Sequence, residues 1–223
     1  MEQGVITCIP KGNKDKLILK NWRPISLLNV SYKMASAAIA ARFKTVLTSL
    51  INEDQTGFLP GIFIGDNIRL VYDILFYTEK EHLPGMILLL DFATAFDSIS
   101  WEFMFTTLRY FNFGEDLIKW VKLFYKNIES CVVINGHLSE WFSVQRGCGQ
   151  GDPLSPYLFI ICEEILALML KHNPNITGIK CNNSEYLLTQ YADDTSVVLD
   201  GSEHALRSTF YVLKCMQMFL VCA

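Results

Sequence analysis

The chain has 223 residues, 51% of them apolar and 13% aromatic, which is enough to fill a sizeable core and excludes a disordered segment. Nineteen Lys and Arg stand against 23 Asp and Glu, a formal charge of −4, so any basic groove for a polyanion must be local. The cysteines at 8, 131, 148, 162, 181, 215 and 222 form an odd set without a CxxC pair, which argues against structural zinc and for reduced thiols inside a cell.

In chain order, Gly4 to Ile9 reads as a buried strand, followed by a basic loop, Lys11 to Arg23, closed by Pro24. Ser31 to Ile51 and Gly65 to Glu81 have helical periodicity. Leu83-Pro84-Gly85 then turns the chain into Met86 to Leu90, a run short enough to be only a buried strand, which ends on Asp91. Helices are expected from Ser100 to Phe111 and from Glu115 to Asn127, then a hairpin over Cys131 to Val144 turning at Asn135-Gly136. A Gly-rich loop, Arg146 to Pro153, opens a long helix from about Leu154 to His172, with Pro153 in its first turn. Strands over Glu185 to Tyr191 and Thr195 to Leu199 flank Ala192-Asp193-Asp194, and a last helix starts near Ser202. This irregular order of strands and helices predicts an α+β fold. The aromatics Tyr72, Phe76, Tyr110, Phe111, Trp120 and Phe124 recur at helical spacing and are expected in the core. The four histidines are scattered and suggest no site.

The start lacks the basic cap and long apolar run of a signal peptide. The longest apolar tract, Pro153 to Leu170, is broken by Glu163 and Glu164, so no membrane span and an intracellular protein, in cytoplasm and nucleus, are expected. Both ends look cut, which suggests a fragment.

Asp91 leaves an apolar strand at its polar end, and Asp193-Asp194 occupy a tight turn between two others. Asp-Asp in a hairpin turn is by itself ordinary turn chemistry. If the strands are neighbours, however, three carboxylates converge, and like charges in one site raise each other's pKa unless cations lie between them. Mg²⁺ takes carboxylates, waters and phosphates, and a pair of such ions about 4 Å apart suits in-line phosphoryl displacement.

The order of segments sharpens this reading. Leu90 to Asp97, the loop Arg146 to Pro156 and Tyr191-Ala192-Asp193-Asp194 resemble the palm motifs of reverse transcriptases, most closely those of non-LTR, LINE-type retrotransposons. Asn21 to Asn29 and Glu53 to Phe58 resemble that family's finger segments. The resemblance implies a right-hand polymerase arrangement with an antiparallel palm sheet packed on helices and its other face open to nucleic acid. Fingers would occupy about 1–85 and 113–150, and palm about 86–112 and 151–223, without a thumb. It implies RNA-directed DNA polymerase activity with two Mg²⁺ (Mn²⁺ as a substitute), an RNA template, a DNA primer and dNTPs. Asp91, Asp193 and Asp194 would be the catalytic metal ligands, with the Phe92 carbonyl as an additional one, and Asp97 would be structural. Phe96 would lie under the incoming sugar and exclude a 2′-hydroxyl. Gln150 and Gly151 would approach the nascent pair, Lys11 and Arg23 the triphosphate, and Tyr191 and Ala192 the primer. Lys14, Lys16 and Lys20 read as a solvated loop and Trp22 as core packing.

The sequence departs from the family where Gly149 precedes Gln150 and where Pro60-Gly61-Ile62 replaces basic residues, which weakens expected template contacts. The endonuclease and thumb regions of a parent polyprotein are not within it, so poor polymerisation by the isolated chain is expected. Two other readings remain open: a non-catalytic retroelement remnant that binds nucleic acid weakly at most, and an intron-encoded reverse transcriptase or maturase.

Overall fold

The computed structural model describes residues 3–59, 61, 63–92 and 95–221, and its strands and helices follow the mixed order expected. Strand β1 (Gln3–Pro10) runs antiparallel to β2 (Trp22–Leu27), with Val5 opposite Leu27 and Pro10 opposite Trp22. The basic loop is therefore shorter than expected, and Pro24 lies within β2. A proline cannot donate to a ladder, and β2 is an edge strand where no donor is needed on the outer side.

Helix α1 (Val30–Leu50) is capped by Asn29, whose side chain accepts from Ser31 N at 2.9 Å. Helix α2 (Ile64–Lys80), strand β3 (Met86–Leu90) and helices α3 (Ala95–Ser98), α4 (Trp101–Tyr110) and α5 (Glu115–Phe124) follow. Strand β4 (Glu129–Ile134) lies parallel to β1 and turns into β5 (His137–Leu138) through Asn135 and Gly136, both at positive φ, 51° and 81°. That is the Asn-Gly hairpin turn the sequence announces. Strand β6 (Phe142–Ser143) also pairs with β4, completing a five-stranded sheet among the described residues.

Helix α6 (Ser155–Lys171) has Pro156, not Pro153, in its first turn. The stretch expected as one strand, Glu185 to Tyr191, divides: its start belongs to β8 (Ser184–Tyr186), which makes a separate hairpin with β7 (Ile179–Cys181), and only β9 (Leu188–Tyr191) joins the second sheet. That sheet has the order β3-β10-β9, with β10 (Asp194–Leu199) antiparallel to both neighbours. Helix α7 (Glu203–Val221) starts where Ala205 N donates to Ser202 Oγ at 3.2 Å, the cap expected at Ser202.

Alternation divides the second sheet into two apolar faces. Leu88, Leu90, Leu188, Val197 and Leu199 join the main core with α6, whereas Ile87 and Val198 pack on Leu70 and Ile74 of α2. The second face is thus partly covered by α2 rather than left open. A groove of about 410 Å³ remains between them, lined by Ile68, Tyr72, Leu89, Tyr191, Asp194 and Ser196. The aromatics expected in the core divide as well: Phe124 is buried and Phe111 half-buried, but Tyr72, Phe76, Tyr110 and Trp120 are more than half exposed. Helical spacing shows that such rings share a face without showing that the face is the inner one; on α2 the inward residue is Ile74.

Helix α6 is buried on nearly all sides, and three acids on or before it meet burial differently. Asp152 accepts from the Ser36 and Ser155 hydroxyls and from the backbone of Leu154 and Ser155, tying α1 to the start of α6; burial still raises its carboxyl against those bonds. Glu164 accepts from the backbone and side-chain nitrogens of Asn52. Glu163 Oε2 makes no hydrogen bond among the described residues, and burial, with the nearby Asp193 charge second, pushes this carboxyl up to about 8.

A carboxyl that holds its proton more tightly folded than unfolded makes stability fall as pH rises from about 4.5 to about 8, and the loss is complete above that window. Replacing Glu163 by Gln should therefore leave stability nearly unchanged near pH 4 and raise it near pH 8, by at most a few kcal/mol. Denaturant melts across that range in metal-free buffer read the effect, and a pH-independent difference would contradict it.

Candidate active site

Ala192 and Asp193 make the two-residue connection between β9 and β10, with Asp194 paired opposite Tyr191. So short a turn needs a left-handed residue at its centre, and Ala192 supplies it at φ 54°. For an alanine this costs about 1–2 kcal/mol. The conformation is held from outside. Ala192 N donates to Gln55 Oε1 at 2.9 Å, and Gln55 Nε2 donates to Ala192 O at 3.2 Å.

The β3–β10 register places Thr195 opposite Leu90, so continuing one residue places Asp194 opposite Asp91. The three acids thus reach one end of one sheet, Asp193 half-buried in the turn and Asp91 and Asp194 exposed. The Asp194 carboxyl is raised, first by partial desolvation and then by the charges of Asp193 and Asp91. Among the described residues no group of three or more His, Cys, Asp or Glu is drawn together closely enough to hold a metal ion. Phe92 is half-buried against the main core, and Ala93 and Thr94 lie outside the described residues, as do Pro60 and Ile62.

Phe96, on α3, is half-buried and stacks on Phe159 of α6, with centroids 4.4 Å apart and an interplanar angle of 15°. Phe58 meets it edge-on at 6.1 Å. The Gly-rich loop docks beside it: Cys148 N donates to Phe96 O at 2.6 Å, Gly147 N to Ile99 O at 2.8 Å, and Trp101 Nε1 to Gly147 O at 2.9 Å. Gly147 has φ 88°, and a Cβ there would lie 2.9 Å from Asp97 Cα, so glycine is required. Asp97 lies within α3, against this loop.

Gln150 and Gly151 are joined to β2, where Ser26 N donates to Gln150 O at 3.2 Å. A cavity of about 230 Å³ between the loop and the first sheet is lined by Asn29, Tyr32, Asp97, Ser130, Arg146 and Gln150. Lys11 Nζ donates to Lys20 O at 3.0 Å, and Arg23 is exposed on β2 opposite Ile9. Among the described residues no hydrogen bond or ion pair links either cation to the three acids. Lys14, Lys16 and Lys20 are exposed, and Trp22 is half-buried with its Nε1 donating to Lys16 O at 2.9 Å, so it braces the basic loop.

Sequence reasoning missed Gln55, Thr56 and Asn67 as parts of this site. Thr56 N and Oγ1 and Asn67 Nδ2 all donate to Gln190 O, at 2.9 Å each, beside the turn. The only signal was the place of Gln55 and Thr56 within the Glu53 to Phe58 segment; nothing local to Asn67 marked it.

Residues 9–222 match the family model described as reverse transcriptase (RNA-dependent DNA polymerase). The Transposon TX1 uncharacterized 149 kDa protein of Xenopus laevis is 34% identical over 196 residues, 88% of this chain and 15% of that protein. The retrovirus-related Pol polyprotein from the type-2 retrotransposable element R2DM of Drosophila melanogaster is 33% identical over 177 residues, 78% of this chain and 16% of its own length. The chain therefore spans less than a fifth of either relative. Among solved structures, apo telomerase from Candida tropicalis, truncated from its C-terminal domain, superposes with a TM-score of 0.62 at 12% identity, covering 98% of this chain and 48% of that one. At that identity the likeness is one of fold, and it agrees with the α+β polymerase arrangement expected. The matched family model, the retrotransposon relatives and the shared fold agree, and the chain belongs to the reverse transcriptase family, of the kind found in non-LTR retrotransposons.

Proposed function

We propose that this chain carries the nucleotidyl-transfer centre of an RNA-directed DNA polymerase, extending a DNA primer with dNTPs on an RNA template. The observation that carries the reading is the strand register that sets Asp91 opposite Asp194 and beside Asp193. A donor set of carboxylate oxygens, one of them raised by partial desolvation and then by its neighbours' charges, suits a hard divalent cation that would relieve the repulsion. Asp91, Asp193 and Asp194, with the Phe92 carbonyl, would hold Mg²⁺ or Mn²⁺. When bound, two such ions stabilise the attacking and leaving oxygens of an in-line displacement.

The remaining roles fall to side chains and loops. Phe96, fixed by its stack on Phe159, presents a rigid ring to the sugar and leaves no room for a 2′-hydroxyl. Gln150 and Gly151 form the backbone shelf of the nascent pair, Tyr191 and Ala192 face the primer end, and Lys11 and Arg23 take the triphosphate. The first sheet with α1, α2 and α5 serves as fingers, and the second sheet with α4, α6 and α7 as palm. In a longer retrotransposon protein, endonuclease and thumb regions are separate segments. Among the described residues no helix is long and apolar enough to cross a membrane, which suits work on RNA and DNA in cytoplasm and nucleus.

Primer extension tests this on the chain joined to the segments that flank the matching region in a longer relative. With Mg²⁺ and an RNA template, Asp193→Asn should lower incorporation at least about 100-fold, since metal-borne charge stabilisation is worth several kcal/mol. Unchanged incorporation ends the polymerase reading. Phe96→Val should raise ribonucleotide incorporation relative to deoxynucleotide by roughly tenfold or more. A constant ratio in competition assays removes Phe96 from sugar selection.

A further inference from the structure

The segment from Asn52 to Phe58 crosses from the core helix to the turn and then to the ring of Phe96. At its start, the Asn52 backbone and side chain donate to Glu164 of α6, and Asp54 pairs with Lys171 of the same helix. In its middle it runs beside β9: Gln190 N donates to Asp54 O at 2.7 Å and Thr56 N donates to Gln190 O at 2.9 Å. Gln55, 1% exposed, then turns its amide onto the turn.

Both ends of the Gln55 amide are engaged. Its Oε1 accepts from Gly57 N at 2.8 Å and from Ala192 N at 2.9 Å, while its Nε2 reaches Ala192 O at 3.2 Å. Two backbone donors fix which end of the amide faces them. A glutamate would add a fourth negative charge beside three acids, and a lysine has nothing to accept with. Gly57 lies so close to the turn that a Cβ on it would be 2.2 Å from Ala192 N. One residue on, Phe58 at φ 59° sets its ring edge-on to Phe96, at an interplanar angle of 88°.

We propose that Asn52 to Phe58 is a positioning strap: Gln55 holds the strained Ala192 turn so that Asp193 and Asp194 keep their aim, and Phe58 holds the Phe96 ring. This rests on the polymerase reading above. A strap made of backbone contacts and one amide sets geometry without touching substrate, and a displacement of about 1 Å at reacting groups can cost about 100-fold in rate.

Steady-state primer extension and hydrogen exchange test it in the same extended protein, beside the wild type and Asp193→Asn. Gln55→Met, of similar length but without the amide, should lower kcat about 10- to 100-fold with little change in dNTP KM, should raise the Mg²⁺ concentration for half-maximal rate, and should speed exchange of the Ala192 amide. Gly57→Ala keeps the amide but pushes the turn from behind, and should give the same split, which decides the matter should Gln55→Met not fold. Phe58→Ala should instead lower deoxy-over-ribo discrimination several-fold. If Asp193→Asn abolishes incorporation while Gln55→Met and Gly57→Ala keep kcat and metal dependence, the strap is overturned and the polymerase reading stands. Should Asp193→Asn itself retain incorporation, the polymerase reading fails, and the exchange rate of Ala192 in Gln55→Met still decides whether the brace exists.

Discussion

Like charges do not gather by themselves, so the acids of this site must be brought together by something indifferent to charge. That agent is the pairing of two apolar strands, β3 and β10, held in register by Met86 to Leu90 against Thr195 to Leu199. Slipping one strand by one residue would turn either Leu88 and Leu90 or Val197 and Leu199 out of the main core. Each buried aliphatic side chain is worth about 1.5–3 kcal/mol, whereas repulsion between exposed carboxylates is of order 1 kcal/mol per pair in water. The core therefore wins, and the register that satisfies it is the one that sets Asp91 opposite Asp194.

Helix α6 is the platform for everything else. It is apolar on nearly every side, yet the acids on it or just before it are the points at which other segments are tied: Asp152 to α1 through Ser36, and Glu164 to the start of the strap through Asn52. Its Phe159 supports Phe96. Glu163, the acid without such a tie at Oε2, lies under the influence of Asp193. A protonated, neutral Glu163 adds no charge to the carboxylate cluster, while an ionised one would burden it. Fold stability and the electrostatics of the site are thus properties of the same helix.

Much of this was legible in the sequence because it depends on local chemistry. Asn135-Gly136 can make little other than a tight hairpin turn, Met86 to Leu90 is too short for a buried helix, and the three acids stand at strand ends beside turns. What stayed hidden depends on partners far away in the chain. Pro24 reads as a loop residue until β2 is known to be an edge. Tyr72 and Phe76 share a helical face, but only the position of the second sheet shows that Ile74 is the inward residue and they are not. Gln55 carries no local sign of its role, because its hydrogen-bond partner at Ala192 is 137 residues away. Polar residues buried by long-range contacts are the class that periodicity cannot see, since periodicity reports apolar faces.

The positions of strain divide the site into a finished part and an unfinished one. Ala192 and Phe58 take positive φ at a cost, Gly147 and Gly151 take it without one, and backbone or amide hydrogen bonds fix the segments that carry the turn, Phe96 and the Gly-rich loop. Those segments are in place before any ligand arrives, which is how strain at a functional site persists. The cationic side is built otherwise: Lys11 is bonded to Lys20 O of its own loop, and that loop is held by internal contacts such as Trp22 to Lys16. A neutral carbonyl offers an ammonium only a dipole, whereas a phosphate oxygen offers a full opposite charge as well as an acceptor. On the proposed reading, exchange of the Lys20 carbonyl for a phosphate would be favourable, and the nucleotide itself would complete the phosphate side of a site whose acid and sugar sides are already fixed.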